Sequence, residues 1–441
     1  MNISFTTRQK RILKNPLFLV YYSFLFILML RLTDPNGLIG EMQRLAFLGA
    51  LLLPAFINKS AFSFSMICFL SVSLASFSPI IPTTSSYYLI LALFFAFILQ
   101  NKHDSLDGYV KHMLLVVFYF IIVSLFFGDS ISGYYWIITA ILCVFFIKRK
   151  GDFENVTVGI MCASLGICLL YIFFAKYFLI RITSEAQGGY ERAQWLNPNE
   201  LAGMINCGGV LASAYLTGAL KNDSNSLFFR IITISTVILV AVVNFINASR
   251  GGTMIFFLIS ALFLFYSNVK FKYKVITGII GILLTIYAFQ GGLMDTLIYR
   301  MGDDNLRTAS GRTDIWDTKI TLFLNSSFID QVFGIGLNDT VKLGYTEGYS
   351  THNDLVTALV AYGYIGFALF LSLFIKLYMT VPRSNKKLIL IFLLFFLLES
   401  SSLEFFFRGY FIFIVLFIYI YKYALMNRND ECIYNNYGNI S

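Results

Sequence analysis

His352, Asn353 and Asp354 stand in a row at the head of an apolar run, where acid–base chemistry can be done. A helix N-terminus disfavours a cation, so an imidazole there stays neutral and can accept a proton near pH 7. Asp354 either orients that ring or caps the helix, and Asn353 supports the same turn. A second group of residues can hold an anion. Arg192, Arg250, Arg300 and Arg312 lie close in sequence to expected helix starts, as does Arg307. The guanidinium fork matches phosphate oxygens, and each helix start adds about half a positive charge and free N–H groups. Together they predict a site for a pyrophosphate-sized anion.

Four sequence features set those helix starts. In NPNE at 197–200, Asn197 is the N-cap, Pro198 the first helical residue and Glu200 the capping-box residue, with Asn199 a further polar group between them. Ser249 precedes Arg250. Ser310 to Thr313 precede an amphipathic stretch, TDIWDTKITLFL, and Ser350 and Thr351 precede His352. Each residue also has a plainer role, since a boundary Arg anchors lipid headgroups and an interfacial His can be structural. The weight lies in their accumulation on one face. Glu399 and Glu404 fall in or near an apolar run, where carboxylates are functional candidates. Contact with a substrate hydroxyl and pairing with Arg408 are both open to them. No phosphate-binding GKS/T loop, Gly-x-Ser-x-Gly elbow or zinc-ligand spacing occurs, so no metal or cofactor is expected.

The elements carrying these residues are membrane spans. Of 441 residues, 58% are hydrophobic and only 13% charged, too apolar for a soluble domain of this size. Fourteen runs approach the length of a span, near 16–32, 40–58, 61–78, 85–101, 109–127, 132–147, 157–179, 198–219, 229–248, 252–268, 274–291, 353–378, 388–405 and 407–425. The net charge of +9 comes from basic clusters between the runs, a pattern that orients membrane proteins and gives no support to nucleic-acid binding. With both termini cytoplasmic, every inner loop carries positive charge. The outer side then holds nine Arg against three Lys, a bias toward the side chain suited to anions. Six cysteines make no disulfide framework, and the first run, after a basic arm, reads as a retained span.

The fold class expected is therefore an all-α polytopic integral membrane protein of about 12–14 transmembrane helices with a large periplasmic loop. It divides into N-terminal spans at 1–179, a catalytic core at 180–378 with outer loops 180–197 and 292–352, and C-terminal spans with a tail at 379–441. The second loop is too polar to span. Its amphipathic stretch should fold and lie against the membrane surface.

The series ERAQWLNPNELAG, NASRGG, SGRTDIW, GIG at 334–336 and HNDLVTALVAYGYIG resembles, in order and spacing across about 180–370, the O-antigen polymerase and ligase superfamily of bacterial envelope enzymes. That resemblance implies a metal-independent glycosyltransferase of the bacterial inner membrane. Its donor would be an oligosaccharide on undecaprenyl diphosphate, used at the periplasmic face. Polymerases pass the glycan to another lipid-linked repeat unit, ligases to lipid A–core. By the same resemblance, Arg192 with Arg250, Arg300 and Arg312 would hold the diphosphate, and His352 would assist the acceptor hydroxyl. A chain-length regulator and a flippase of the same pathway are the implied protein partners. Polymerase-like members carry an Arg with a Gly eleven positions later in two outer loops. Arg192–Gly203 and Arg300–Gly311 fit, and favour a polymerase over a ligase. A lipid-linked glycan transporter is the alternative from another class. It would place its ionisable residues near the bilayer midplane in repeated halves, and no internal repeat is found.

Overall fold

The computed structural model describes residues 108–127, 129, 134, 136–138, 140, 141, 150–178, 181–183, 191–193, 198–220, 227–247, 249–290, 312–337 and 351–437. The four runs before residue 108 lie outside them, and 132–147 is described only at scattered positions. Nine of the other apolar runs coincide with helices. These are α1 (Gly108–Phe126), α2 (Lys150–Phe178), α3 (Pro198–Leu216), α4 (Leu227–Asn247), α5 (Arg250–Tyr266), α6 (Phe271–Gln290), α9 (Asp354–Thr380), α10 (Lys386–Ser402) and α11 (Phe411–Tyr437). Between α6 and α9 lie α7 (Arg312–Leu324) and the short α8 (Phe328–Phe333). Gly108–Phe126, Phe229–Asn247 and Asp354–Thr380 are long and apolar enough to cross a membrane. The protein is an all-α membrane protein in its described bulk. The one departure is an antiparallel pair, β1 (Arg181–Thr183) and β2 (Glu191–Ala193), within the loop read as 180–197, with Ile182 opposite Arg192.

Apolar packing alone gives weak direction to helices already surrounded by lipid, so small residues and polar contacts register them. Gly252 approaches α3 so closely that a Cβ there would fall on the Cβ of Ala202. Fully buried Asn206 donates from Nδ2 to Gly252 O and to Glu399 Oε1, both at 2.9 Å. Asn244 Nδ2 donates to Asn206 Oδ1 at 2.8 Å. One amide thereby links α3, α4, α5 and α10.

A second fastening sets α9. Gly363 interrupts that helix at φ 69°, a conformation open to glycine and strained for residues with a Cβ. The carbonyls of Val360 and Ala361, which lose their helical partners there, accept instead from the amides of Ile335 (3.3 Å) and Gly336 (3.0 Å). The GIG segment after α8 is thus docked into the kink. Gly363 and Gly366, at first sight a pair for helix packing, divide the work: Gly366 lets α9 close on Tyr119 and Phe120 of α1, while Gly363 bends the helix. Phe323 of α7 packs with Ile335, Val356 and Val360. The expectation that the long loop is partly folded is met by this α7–α8–GIG unit lying along the first half of α9.

Candidate functional site

The site gathers where the N-termini of α3, α5, α7 and α9 meet the link between α10 and α11. Asn353, with its side chain accepting from the amides of Leu355 (2.9 Å) and Val356 (3.2 Å), caps α9. His352 stands just before it at φ 49°, the one non-glycine residue with positive φ among the described residues. Such a conformation persists only when its surroundings hold it. Here Trp316 Nε1 of α7 donates to Thr351 O at 2.7 Å, and the Thr351 hydroxyl donates to Glu404 Oε1 at 2.5 Å. The imidazole is half-buried. Burial first, and then the charge of Arg312, lower its pKa from 6.5, while Glu404 opposes them.

Asp354 takes neither role expected of it. It is fully buried, and its carboxylate accepts from the amides of Phe406 (3.0 Å to Oδ2, 3.2 Å to Oδ1) and Phe407 (3.3 Å) in the α10–α11 link. Asn353 already satisfies the first amides of α9, which leaves the Asp354 oxygens to hold another segment. The cap of α9 is therefore Asn353, not Ser350 or Thr351, and Asp354 anchors the link.

The arginines divide. Arg250 opens α5, whose cap is Ser249 as expected, with its side chain accepting from Gly252 N. Arg312 opens α7 and donates from Nη1 to Ser402 O at 2.6 Å. Burial lowers its pKa, and the charge of Arg250 lowers it further. A Cβ placed on Gly251, next to Arg250, would come within 4.0 Å of the same Ser402, which brings the starts of α5 and α7 to one residue. The two arginines come from motifs some sixty positions apart in the sequence. Arg192 lies in β2. Arg300, Arg307, Ser310 and Asn197 lie outside the described residues. Pro198 is the first residue of α3, as predicted. Asn199 Oδ1 accepts from the Ser249 hydroxyl at 2.8 Å, and Asn247 Nδ2 donates to Pro198 O at 2.6 Å, so the NPNE and NASRGG motifs form one joint.

The carboxylates and Arg408 were named from sequence, but only the structure joins them, and Lys319 was not singled out at all. Glu200 forms an ion pair across the bundle with Arg408 Nη1 at 2.9 Å, and Arg408 Nε donates to Glu404 Oε2 at 3.3 Å. Glu404 also accepts from the Thr357 hydroxyl at 2.9 Å. Its pairing with Arg408 was one of the two roles left open for it. Lys319 is only 2% exposed, and burial lowers its pKa against the opposing charge of Glu404. A signal for Lys319 existed, because it lies three residues after Trp316 and four before Phe323, on the apolar stripe of α7. A lysine in that stripe has no reason of solubility to be there.

The site therefore holds a half-buried imidazole near Arg312, Lys319 and Arg408, with Arg250 at the adjoining helix start and Glu404 and Glu200 as carboxylates. That arrangement can bind a polyanion and accept a proton beside it. Residues 235–371, which run from α4 through the kink of α9, match a family model described as O-antigen ligase. No curated protein matches the chain. The matched segment, about a third of the chain, includes Arg250, Arg312, Lys319, His352 and Asn353, and over it the chain is similar to the O-antigen ligase family.

Proposed function

We propose that the protein is an O-antigen polymerase, joining oligosaccharide repeat units carried on undecaprenyl diphosphate at the periplasmic face of the inner membrane. The observation that carries the reading is the convergence of helix starts around the His352 turn, where Trp316 of α7 holds Thr351 and Arg312 holds Ser402 beside the Arg250–Gly251 start of α5. In the reaction an acceptor hydroxyl attacks the anomeric carbon of the donor glycan. His352 takes the hydroxyl proton, the new glycosidic bond forms, and the bond from the anomeric carbon to the diphosphate oxygen breaks. Negative charge grows on the leaving diphosphate, where preorganised cations are worth most. Arg250 and Arg312 fill that role, with Arg192 and Arg300 as further contacts from the outer loops. A single displacement of this kind inverts the anomeric configuration. Asn197, Asn199 and Asn353 support the helix starts and Asp354 anchors the α10–α11 link, and none of them touches the reacting atoms.

Polymerase is preferred on the two Arg–Gly spacings, Arg192–Gly203 and Arg300–Gly311. The ligase reading, in which lipid A–core is the acceptor, is favoured by the description of the matching family model. Lipopolysaccharide banding in a deletion strain separates them. Core bearing one repeat unit, restored to a ladder by the wild-type gene, marks a polymerase. Loss of all O-antigen from the core, with lipid-linked polymer accumulating, marks a ligase. Loss of all O-antigen from the core, with single lipid-linked repeat units stranded on the cytoplasmic side, marks a transporter. A full ladder from His352→Ala at normal protein level would remove His352 from the mechanism.

A further inference from the structure

Glu404 receives more of the site than any other carboxylate described. Its Oε1 accepts from the hydroxyls of Thr351 and Thr357, which flank the cap of α9, and its Oε2 accepts from Arg408. The first of these bonds fastens the residue next to His352 to the α10–α11 link. Asp354 fastens the same turn to the same link from the other side, through Phe406 and Phe407. The link itself is short and carries both Glu404 and Arg408 one helical turn apart. Charge adds to the clamp. Facing the imidazole are Arg312 and Lys319 from α7 and Glu404 and Arg408 from the link, with Arg250 of α5 beyond Arg312, Glu200 of α3 beyond Arg408, and Asp354 on its own helix.

We propose that Glu404 is the positioning residue of this site, clamping the Thr351–Asn353 turn that holds His352 and setting a negative charge against the cations that surround the imidazole. It acts through His352 and does not touch the reacting sugar. A site built to hold a diphosphate must crowd cations around its base, and that crowding works against the base accepting a proton. A carboxylate held on the far side of the turn restores proton affinity without competing for the cations' ligand. Its two threonine donors keep it in place, and Arg408, bridged to Glu200, moderates its charge. This inference rests on the reading of His352 as the base only for its consequence in catalysis, not for the electrostatic link itself.

The test measures His352 directly. The full-length protein in lipid nanodiscs is treated with diethyl pyrocarbonate, which modifies neutral imidazole, across pH 5 to 8, and the peptide carrying His352 is followed by mass spectrometry. In Glu404→Gln, which keeps a carbonyl oxygen for Thr351 and Thr357, the midpoint of modification should fall by about half to one pH unit, since an opposing charge has been removed. In Arg408→Gln it should rise, because a cation facing the imidazole is removed and Glu404 loses its partner. A merely structural role would move neither midpoint. An unchanged midpoint in folded Glu404→Gln would overturn the proposal. Should Glu404→Gln fail to fold, Thr351→Val, which removes the bond to Glu404 and leaves every charge in place, decides: a lowered midpoint supports the link and an unmoved one overturns it. If the midpoints shift as expected but His352→Ala still gives a full ladder, the link stands and the base assignment falls.

Discussion

Gly336 donates its amide to the carbonyl of Ala361 at 3.0 Å, two residues before the helix bends at Gly363. The contact ties a loop segment to a membrane helix through backbone alone, and it orients everything before it in the chain. With GIG held in the kink, α8 and α7 are drawn along α9, and Trp316, Lys319 and Arg312 reach the His352 turn.

Gly363→Ala should therefore damage the fold more than a helix glycine ordinarily would. A side chain at φ 69° costs about 1–2 kcal/mol from conformation alone. The added Cβ would also run into the backbone of Val332 and Gly334, which cannot swing aside as a side chain does. The expected result is a lower midpoint for thermal loss of the monodisperse peak in size-exclusion chromatography. A midpoint equal to wild type would mean the kink is not needed to hold the α7–α8 unit.

Arg312 should prove irreplaceable by lysine. Its fork already spends one donor on Ser402 O and has others left for an anion. Arg312→Ala should reduce transfer by about 10²–10³-fold, the scale of losing one preorganised charge donor. Arg312→Lys should recover part of that loss at most, because a point charge cannot bridge both sites. Asp314→Asn, an exposed change in the same helical turn, is the control. In vitro polymerisation of lipid-linked units gives the ratio, and full activity in Arg312→Lys would argue for simple charge attraction.

The pH dependence has a definite sign. Burial and Arg312 hold the His352 pKa below 6.5 in the folded protein. A base with a lowered pKa stays neutral at and above that value, so activity should be level from pH 6.5 to 7.5 and decline only further into acid. The same shift means the unfolded chain binds the proton more readily, so acidification below pH 6.5 should also erode stability. An acid limb with its midpoint above 6.5 would assign the titration to another group.

Asp354 and His352 are neighbours but one, and they should fail in different ways. Asp354→Ala leaves the amides of Phe406 and Phe407 buried without their acceptor, at about 1–3 kcal/mol for each. Asp354→Asn retains one acceptor oxygen and should lose less. His352→Ala should cost activity while leaving the thermal midpoint near wild type. Equal midpoints for Asp354→Ala and wild type would show that the link is held by its apolar packing instead.

Sequence alone determined the spans it could be tested on, because a run of apolar residues needs no partner to declare itself: hydropathy and length decide it locally. The helix starts at Pro198 and Arg250 were legible for the same reason, since a cap acts within one turn of its own helix. The four arginines, His352 and Asn353 were visible as residue types suited to an anion and a proton. What only the tertiary structure decided is which of them meet. The helix starts at Arg250 and Arg312 meet because Asn206 registers α3 against α5 and α10, and because Arg312 reaches Ser402 at the end of α10. Asp354 was read as orienting His352 or capping its own helix, both local roles, yet its carboxylate is used by a link some fifty residues on. Glu404, Arg408 and Lys319 gain their roles from that same link and from the kink at Gly363. Bonds between distant segments are set by packing, and a packed arrangement of helices depends on shape and buried polar pairs that no single stretch of chain contains.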